Sequence, residues 1–151
     1  FSHPGIIQHL LGEYKLVLIY PIEWLQRSPA QDHFKLNLAF FQDRPFITYE
    51  TGQMVRSGTL EFLSRQMQGP PQIDTSASGS TSVTRLVEAG LGYGVVPEWS
   101  IDQESKQVGK IVLDEMEPMK LWFAHSAFLE SNKFIRLLHQ ACRTTINNHG
   151  Q

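Results

Sequence analysis

Two short stretches of this chain carry the residue types that hold a small polar molecule: Thr48-Tyr49-Glu50-Thr51-Gly52-Gln53 and Thr75-Ser76-Ala77-Ser78-Gly79-Ser80-Thr81. Each follows a run suited to a strand and precedes a segment with helical spacing, so each is read as a strand-to-helix junction. At such a junction the first helical N–H groups have no intrahelical partner, and the positive end of the helix dipole faces outward. Thr51, Ser76 and Ser78 add hydroxyls, and Gly52 admits a ligand close to the backbone. Thr48, Tyr49 and Ala77 complete the two segments. Together they would form a pocket wall that favours an anion. A Ser or Thr ahead of a helix also serves as a plain N-cap, contributing about 1 kcal/mol to stability with no part in binding, so each hydroxyl is open to either role. Glu50 would repel an anion and is expected on the solvated surface.

Other chemistry finds little support. The six histidines (His3, His9, His33, His125, His139 and His149) neither pair at i, i+4 nor join a cysteine cluster, so no metal ligand set is expected. His125 is expected as a plain surface or packed residue. The single cysteine, Cys142, falls on the apolar face of a helix and is expected as core rather than nucleophile. Gly-x-Ser-x-Gly, a phosphate loop with its lysine and an opening Gly-x-Gly-x-x-Gly are all missing, so neither catalytic residues nor a cofactor are expected. Gly90-Leu91-Gly92-Tyr93-Gly94 is rich in glycine but enters a strand, where another backbone may pass closely.

The elements that must position the two junctions alternate. Lys15–Tyr20 is a near-continuous apolar run closed by Pro21, as in a strand buried on both faces. The connection from Pro21 to Asp43 holds Pro29 and a short helical turn near Leu36–Phe41. Pro45–Tyr49 is a second strand. A helix is expected from Thr51-Gly52 to about Met67, stopped by Gly69-Pro70-Pro71. Gln72–Thr75 is a third strand, and Val83, Leu86 and Val87 mark one face of a short helix. Leu91–Val96 is a strand ending at Pro97, and Trp99 to Ser105 suggests one helical turn, with Trp99 expected to pack in the core. Lys110–Leu113 and Lys120–Ala124 are further strands. A last helix from near Ser131 is expected to turn Phe134, Ile135, Leu138, Ala141 and Cys142 inward. Strands alternating with helices give an α/β fold with a largely parallel sheet.

Bulk properties set the frame. The chain has 151 residues, 41% hydrophobic and 19% charged, with a net charge of −2. Those values suit a soluble domain or two small lobes and give no pull toward phosphate backbones. A lone thiol fits a reducing compartment. No apolar run spans a bilayer, and no leader is visible, although the chain does not open on Met.

One segment carries a family likeness. Thr81-Ser82-Val83-Thr84-Arg85-Leu86-Val87-Glu88-Ala89-Gly90-Leu91-Gly92-Tyr93-Gly94-Val95-Val96-Pro97 resembles the hallmark of the LysR-type effector-binding domain, a helix ending in Leu-Val-x-Ala-Gly-Leu-Gly that leads to a short strand ending in Pro. The remaining strands and the closing helix follow the family's order from about Leu10 onward. The resemblance implies a periplasmic-binding-protein-like (type 2) two-lobe α/β domain. It implies a complete second lobe at about 22–108, with 1–21 and 109–151 as part of a first lobe, and the helix-turn-helix domain lying outside this chain. It also implies that both junctions face a cleft between lobes, with Pro97 near its hinge, and that Thr48, Tyr49, Thr51, Gly52, Ser76, Ala77, Ser78 and Pro97 contact a small effector, for which an anion fits. Tyr93 replaces a small aliphatic residue and is expected to alter the hinge or the pocket floor. The implied function is sensing for a cytoplasmic transcription regulator that works as a homo-dimer or homo-tetramer and reaches DNA only through its amino-terminal domain. The competing expectation is a periplasmic solute-binding protein that serves a transporter.

Overall fold

A computed structural model describes residues 3–26, 37–102 and 105–149. The chain forms two compact units, one of Lys15–Glu117 and one of Phe1–Tyr14 with Pro118–Gln151. In chain order the elements are β1 (Ile6–Tyr14), β2 (Leu16–Pro21), α1 (Glu23–Gln26), β3 (Pro45–Tyr49), α2 (Met54–Gln66), β4 (Gln72–Ala77), α3 (Ser80–Glu88), β5 (Tyr93–Pro97), β6 (Val108–Val112), β7 (Met119–Ser126) and α4 (Lys133–His149). A 3-10 turn at Leu38–Phe41 precedes β3. Residues 27–36 of the expected connection, including Pro29, His33 and Leu36, lie outside the described residues.

The larger unit is a five-stranded sheet in the order β4-β3-β5-β2-β6 with helices on its faces. All six residues of β2 are buried, as its apolar run requires of a strand covered on both faces. Successive side chains alternate between two cores. Leu16, Leu18 and Tyr20 join Phe46, Leu63 and Tyr93 on one face. Val17 and Ile19 join Ile47, Tyr49, Val83 and Val87 on the other. The sheet is mixed rather than largely parallel: β3 runs parallel to β4 and β5, while β2 runs antiparallel to β5 and β6. Because β2 and β6 are a central and an edge strand of this sheet, the larger unit begins at Lys15 and ends at Glu117. Gly92 marks a close approach. A Cβ there would lie 2.5 Å from the Pro45 carbonyl oxygen, so the β5 entry fits beside β3 only without a side chain.

The smaller unit pairs β1 with β7 as an antiparallel ribbon, with a register shift between Leu10 and Gly12 that leaves Leu11 as the extra residue of a bulge. α4 packs on it through the half-buried Ile135, His139, Cys142 and Ile146. The expected inward set is therefore only partly right: Phe134, Leu138 and Ala141 are exposed. The stretch Ile6–Tyr14 as a whole was not legible as a strand.

Candidate functional site

The parallel pairing of β4, β3 and β5 releases the carboxyl ends of these strands along one edge of the larger unit. Thr48 lies opposite Ser76 and Tyr49 opposite Ala77, so the two hydroxyl-rich junctions sit side by side. Pro97 ends β5 at the same edge and pairs with Leu16, where β2 begins. In open α/β sheets ligands bind outside the carboxyl ends of strands, where helix starts converge.

The two loops are tied together. The Glu50 N–H donates to the Ala77 carbonyl at 3.2 Å, and Gln53 Nε2 donates to the Ser78 carbonyl at 2.9 Å. Arg56 Nη1 donates to the Tyr49 carbonyl at 2.5 Å, so a cation in the first turn of α2 holds the last carbonyl of β3. Thr51-Gly52 forms a turn ahead of α2 rather than its first residues, and Gly52 has a φ of 94°, in the left-handed region.

Neither helix at this edge has a side-chain cap. Gln53 precedes α2 and Gly79 precedes α3, and neither makes a capping bond. Among the described residues, the hydroxyls of Thr51, Ser76 and Ser78 make no hydrogen bond. The plain capping role that the sequence left open is therefore not the one they play. The leading amides of both helices remain available, apart from the Arg56 N–H, which donates to the Gln53 carbonyl at 3.1 Å.

The eight expected contact residues divide into two groups. Thr51, Gly52, Ser76 and Ser78 are exposed. Thr48, Tyr49, Ala77 and Pro97 are buried, so their backbones rather than their side chains reach the edge. The Thr48 and Tyr49 hydroxyls have no hydrogen-bond partner. Burial pushes Tyr49 up to about 12. Glu50 is exposed, as expected.

Tyr93 does not form a pocket floor. It is fully buried, its ring 5.0 Å from both Phe41 and Phe46 and its hydroxyl 3.9 Å from Met67 Sδ. Trp99 is 54% exposed, not packed in the core, because it sits in a 3-10 turn just beyond the sheet. A cavity of about 400 Å³ lies between α3 and the residues Ser100, Asp102 and Ser105 to Gln107, and it includes none of the eight residues.

Sequence reasoning missed the residues that fasten the chain where it enters and leaves this unit. The Lys15 N–H donates to Glu98 Oε1 at 3.1 Å, and the Glu98 N–H donates to the Lys15 carbonyl at 3.0 Å. Lys15 Nζ lies 2.6 Å from Asp114, whose hydrogen bond and charge raise the lysine pKa. These partners are far apart in the chain, and neither propensity nor periodicity signals them. Gln53 and Arg56 are their local counterparts, polar residues at a helix start whose reach was not read.

The mixed sheet and its covering helices define an α/β domain of the periplasmic-binding-protein-like kind. The chain belongs to the LysR substrate binding domain family, whose model matches residues 1–149. Among solved structures, it is similar to the cofactor-binding domain of the Cbl transcriptional regulator, with 22% identity, 95% of this chain and 61% of that chain covered, and a TM-score of 0.69. It is similar to the Synechocystis PCC6803 CcmR regulatory domain in complex with 2-PG, with 14% identity, 96% and 71% covered, and a TM-score of 0.71. It is also similar to a mutant of Corynebacterium glutamicum OxyR, with 17% identity, 98% and 46% covered, and a TM-score of 0.67. The chain spans 46% of the OxyR mutant's length and 61% of the Cbl domain's, less than two thirds of either. No curated protein matches it by sequence. The family is that of ligand-sensing regulatory domains, and this decides against the transporter reading. No described helix is long and apolar enough to cross a membrane.

Proposed function

We propose that this chain senses a small anionic effector for a LysR-type transcription regulator, and that the effector sits at the shared edge of β3 and β4. The carrying observation is the pair of uncapped helix starts side by side, with the free hydroxyls of Thr51, Ser76 and Ser78 beside them. Helix N-termini with open amides favour negative charge. Thr48, Tyr49, Ala77 and Pro97 contribute backbone and shape, and Gly52 keeps the approach clear. The reading needs no catalytic residue: the domain acts by binding, not by turnover.

In the regulator, effector binding favours one arrangement of two lobes over another and so changes how the assembly sits on DNA. The segments 1–14 and 118–151 belong to the first lobe in this reading, and the rest of that lobe and the helix-turn-helix domain belong to the full-length protein. The assembly is a homo-dimer or homo-tetramer in the cytoplasm, and DNA is reached only through the amino-terminal domain.

A thermal-shift panel of small carboxylates, amino acids and sulfur oxyanions tests the reading. At least one is expected to raise the midpoint of the wild-type chain. The double variant Thr51→Ala with Ser76→Ala should lose that response while keeping its unliganded midpoint. A response retained in the double variant contradicts the assignment.

A further inference from the structure

The smaller unit gathers titratable rings that the effector site does not use. His9 on β1 stacks against both His125 on β7 and His139 on α4. The His9 and His139 ring centroids are 4.4 Å apart, and those of His9 and His125 are 5.6 Å apart. Phe123 closes the group at 5.0 Å from His139 and 5.9 Å from His125. The register explains the gathering. Ile7 opposes His125 and His9 opposes Phe123, so all four side chains leave the ribbon face on which α4 packs.

Among the described residues the charged groups that act on His139 are cationic or titratable bases, not carboxylates. Arg136 and Arg143 flank His139 by one turn on either side, and they line a groove of about 310 Å³ with it. α4 contains Lys133 as a further cation and not one carboxylate. The acids of the ribbon and its turn are Glu13, which lies 4.0 Å from Lys120, and Glu130, in the turn before α4. Neither acts on His139. Partial desolvation, then His9, Arg143 and His125, hold its pKa below the ordinary histidine value.

We propose that the His9–His125–His139 stack is an acid-sensitive latch, in which uncharged rings hold α4 on the ribbon and a second protonation releases it. One imidazolium is tolerated against neutral aromatic faces. Two within this spacing, beside two arginines, repel. The sign follows from linkage. A histidine whose folded-state pKa is depressed binds fewer protons than the released form. Its contribution is complete above the unfolded value of about 6.5 and is lost as pH falls through and below it. The effect is local, because the larger unit has no histidine among its described residues.

Hydrogen exchange of the full chain, corrected for the pH dependence of the chemical step, tests this. Between about pH 7.5 and about pH 5.5, protection over residues 133–146 should fall by more than about three-fold while that of β2 and β5 stays level. His139→Phe keeps a ring in the stack and removes its charge, so it should abolish most of the fall. His9→Phe serves as the second variant if the first does not fold. A wild-type fall of about three-fold or less, or an equal fall in the folded variant, overturns the proposal. So does a proton NMR titration in which His139 titrates at or above the ordinary value of about 6.5.

Discussion

Every buried side chain among the described residues lies in the larger unit, and the smaller unit has none. Leu18, Ile19, Leu63, Val83 and Val87 have no exposure at all, whereas Phe134, Leu137 and Leu138 on α4 and Leu10 and Trp122 across the ribbon are all more than 40% exposed. Both units contain antiparallel pairs and an amphipathic helix, so element type does not separate them. The difference is the number of covered faces. The five-stranded sheet has a core on each side, and the ribbon has α4 on one side only. A unit of the first kind is held by apolar burial, at about 1.5–3 kcal/mol for each large side chain. One of the second kind rests on half-covered contacts, so ring stacking and charge count for more.

The largest expected effects therefore fall in the larger unit. Gly92→Val should cost about 3 kcal/mol or more, because its side chain must displace the Pro45 backbone rather than a flexible neighbour. Denaturant midpoints measure it, and a cost below about 1 kcal/mol would mean that the β3–β5 edge yields easily. Leu63→Ala should cost about 3 kcal/mol, while Leu137→Ala should stay within about 0.5 kcal/mol. Equal costs at the two positions would erase the contrast between the units.

Titration separates the units in opposite directions. Burial raises Tyr49 to about 12 and Tyr93 further still, so the folded larger unit keeps protons that its unfolded form gives up. Its stability should be complete below about pH 10 and fall as pH rises from there toward 12. The ring NMR signals of Tyr49 and Tyr93 should report ionisation only together with loss of the larger unit's structure, and their ionisation without unfolding would contradict the burial. The smaller unit should instead respond to acid. The smallest effect is expected at the candidate site. Thr51→Ala or Ser78→Ala should change stability by less than about 0.5 kcal/mol, since neither hydroxyl caps a helix. A loss near 1 kcal/mol in thermal unfolding would restore the capping role.

The same contrast explains what the sequence made legible. β2 and β3 were readable because continuous apolar runs, Leu16–Pro21 and Pro45–Tyr49, have no other place than a sheet covered on both faces. β1 was not, because Gln8, His9, Gly12 and Glu13 interrupt its apolar residues and its bulge breaks the alternation. On α4 two apolar stripes compete, Phe134-Leu138-Ala141 and Ile135-Cys142-Ile146, and only tertiary contact with the ribbon decides between them. At the site, the wording marked each segment as a strand-to-helix junction, and the family likeness implied that the two face one cleft. The burial of Thr48 and Tyr49 was not, because a polar or amphipathic side chain at a strand end carries no local mark of the face it takes. The ties of Gln53 to Ser78 and of Lys15 to Glu98 join residues 25 and 83 positions apart, beyond any local pattern.

The central claim is that the uncapped starts of α2 and α3 form one anion-binding edge. Backbone amide chemical shifts, followed during titration with the small carboxylates and sulfur oxyanions of the panel, test it most directly. The account predicts saturable shifts at Thr51, Gly52 and Ser78 through Thr81, abolished together by Thr51→Ala with Ser76→Ala. Shifts confined to the cavity around Arg85 and Lys106, with these amides unmoved, would contradict it.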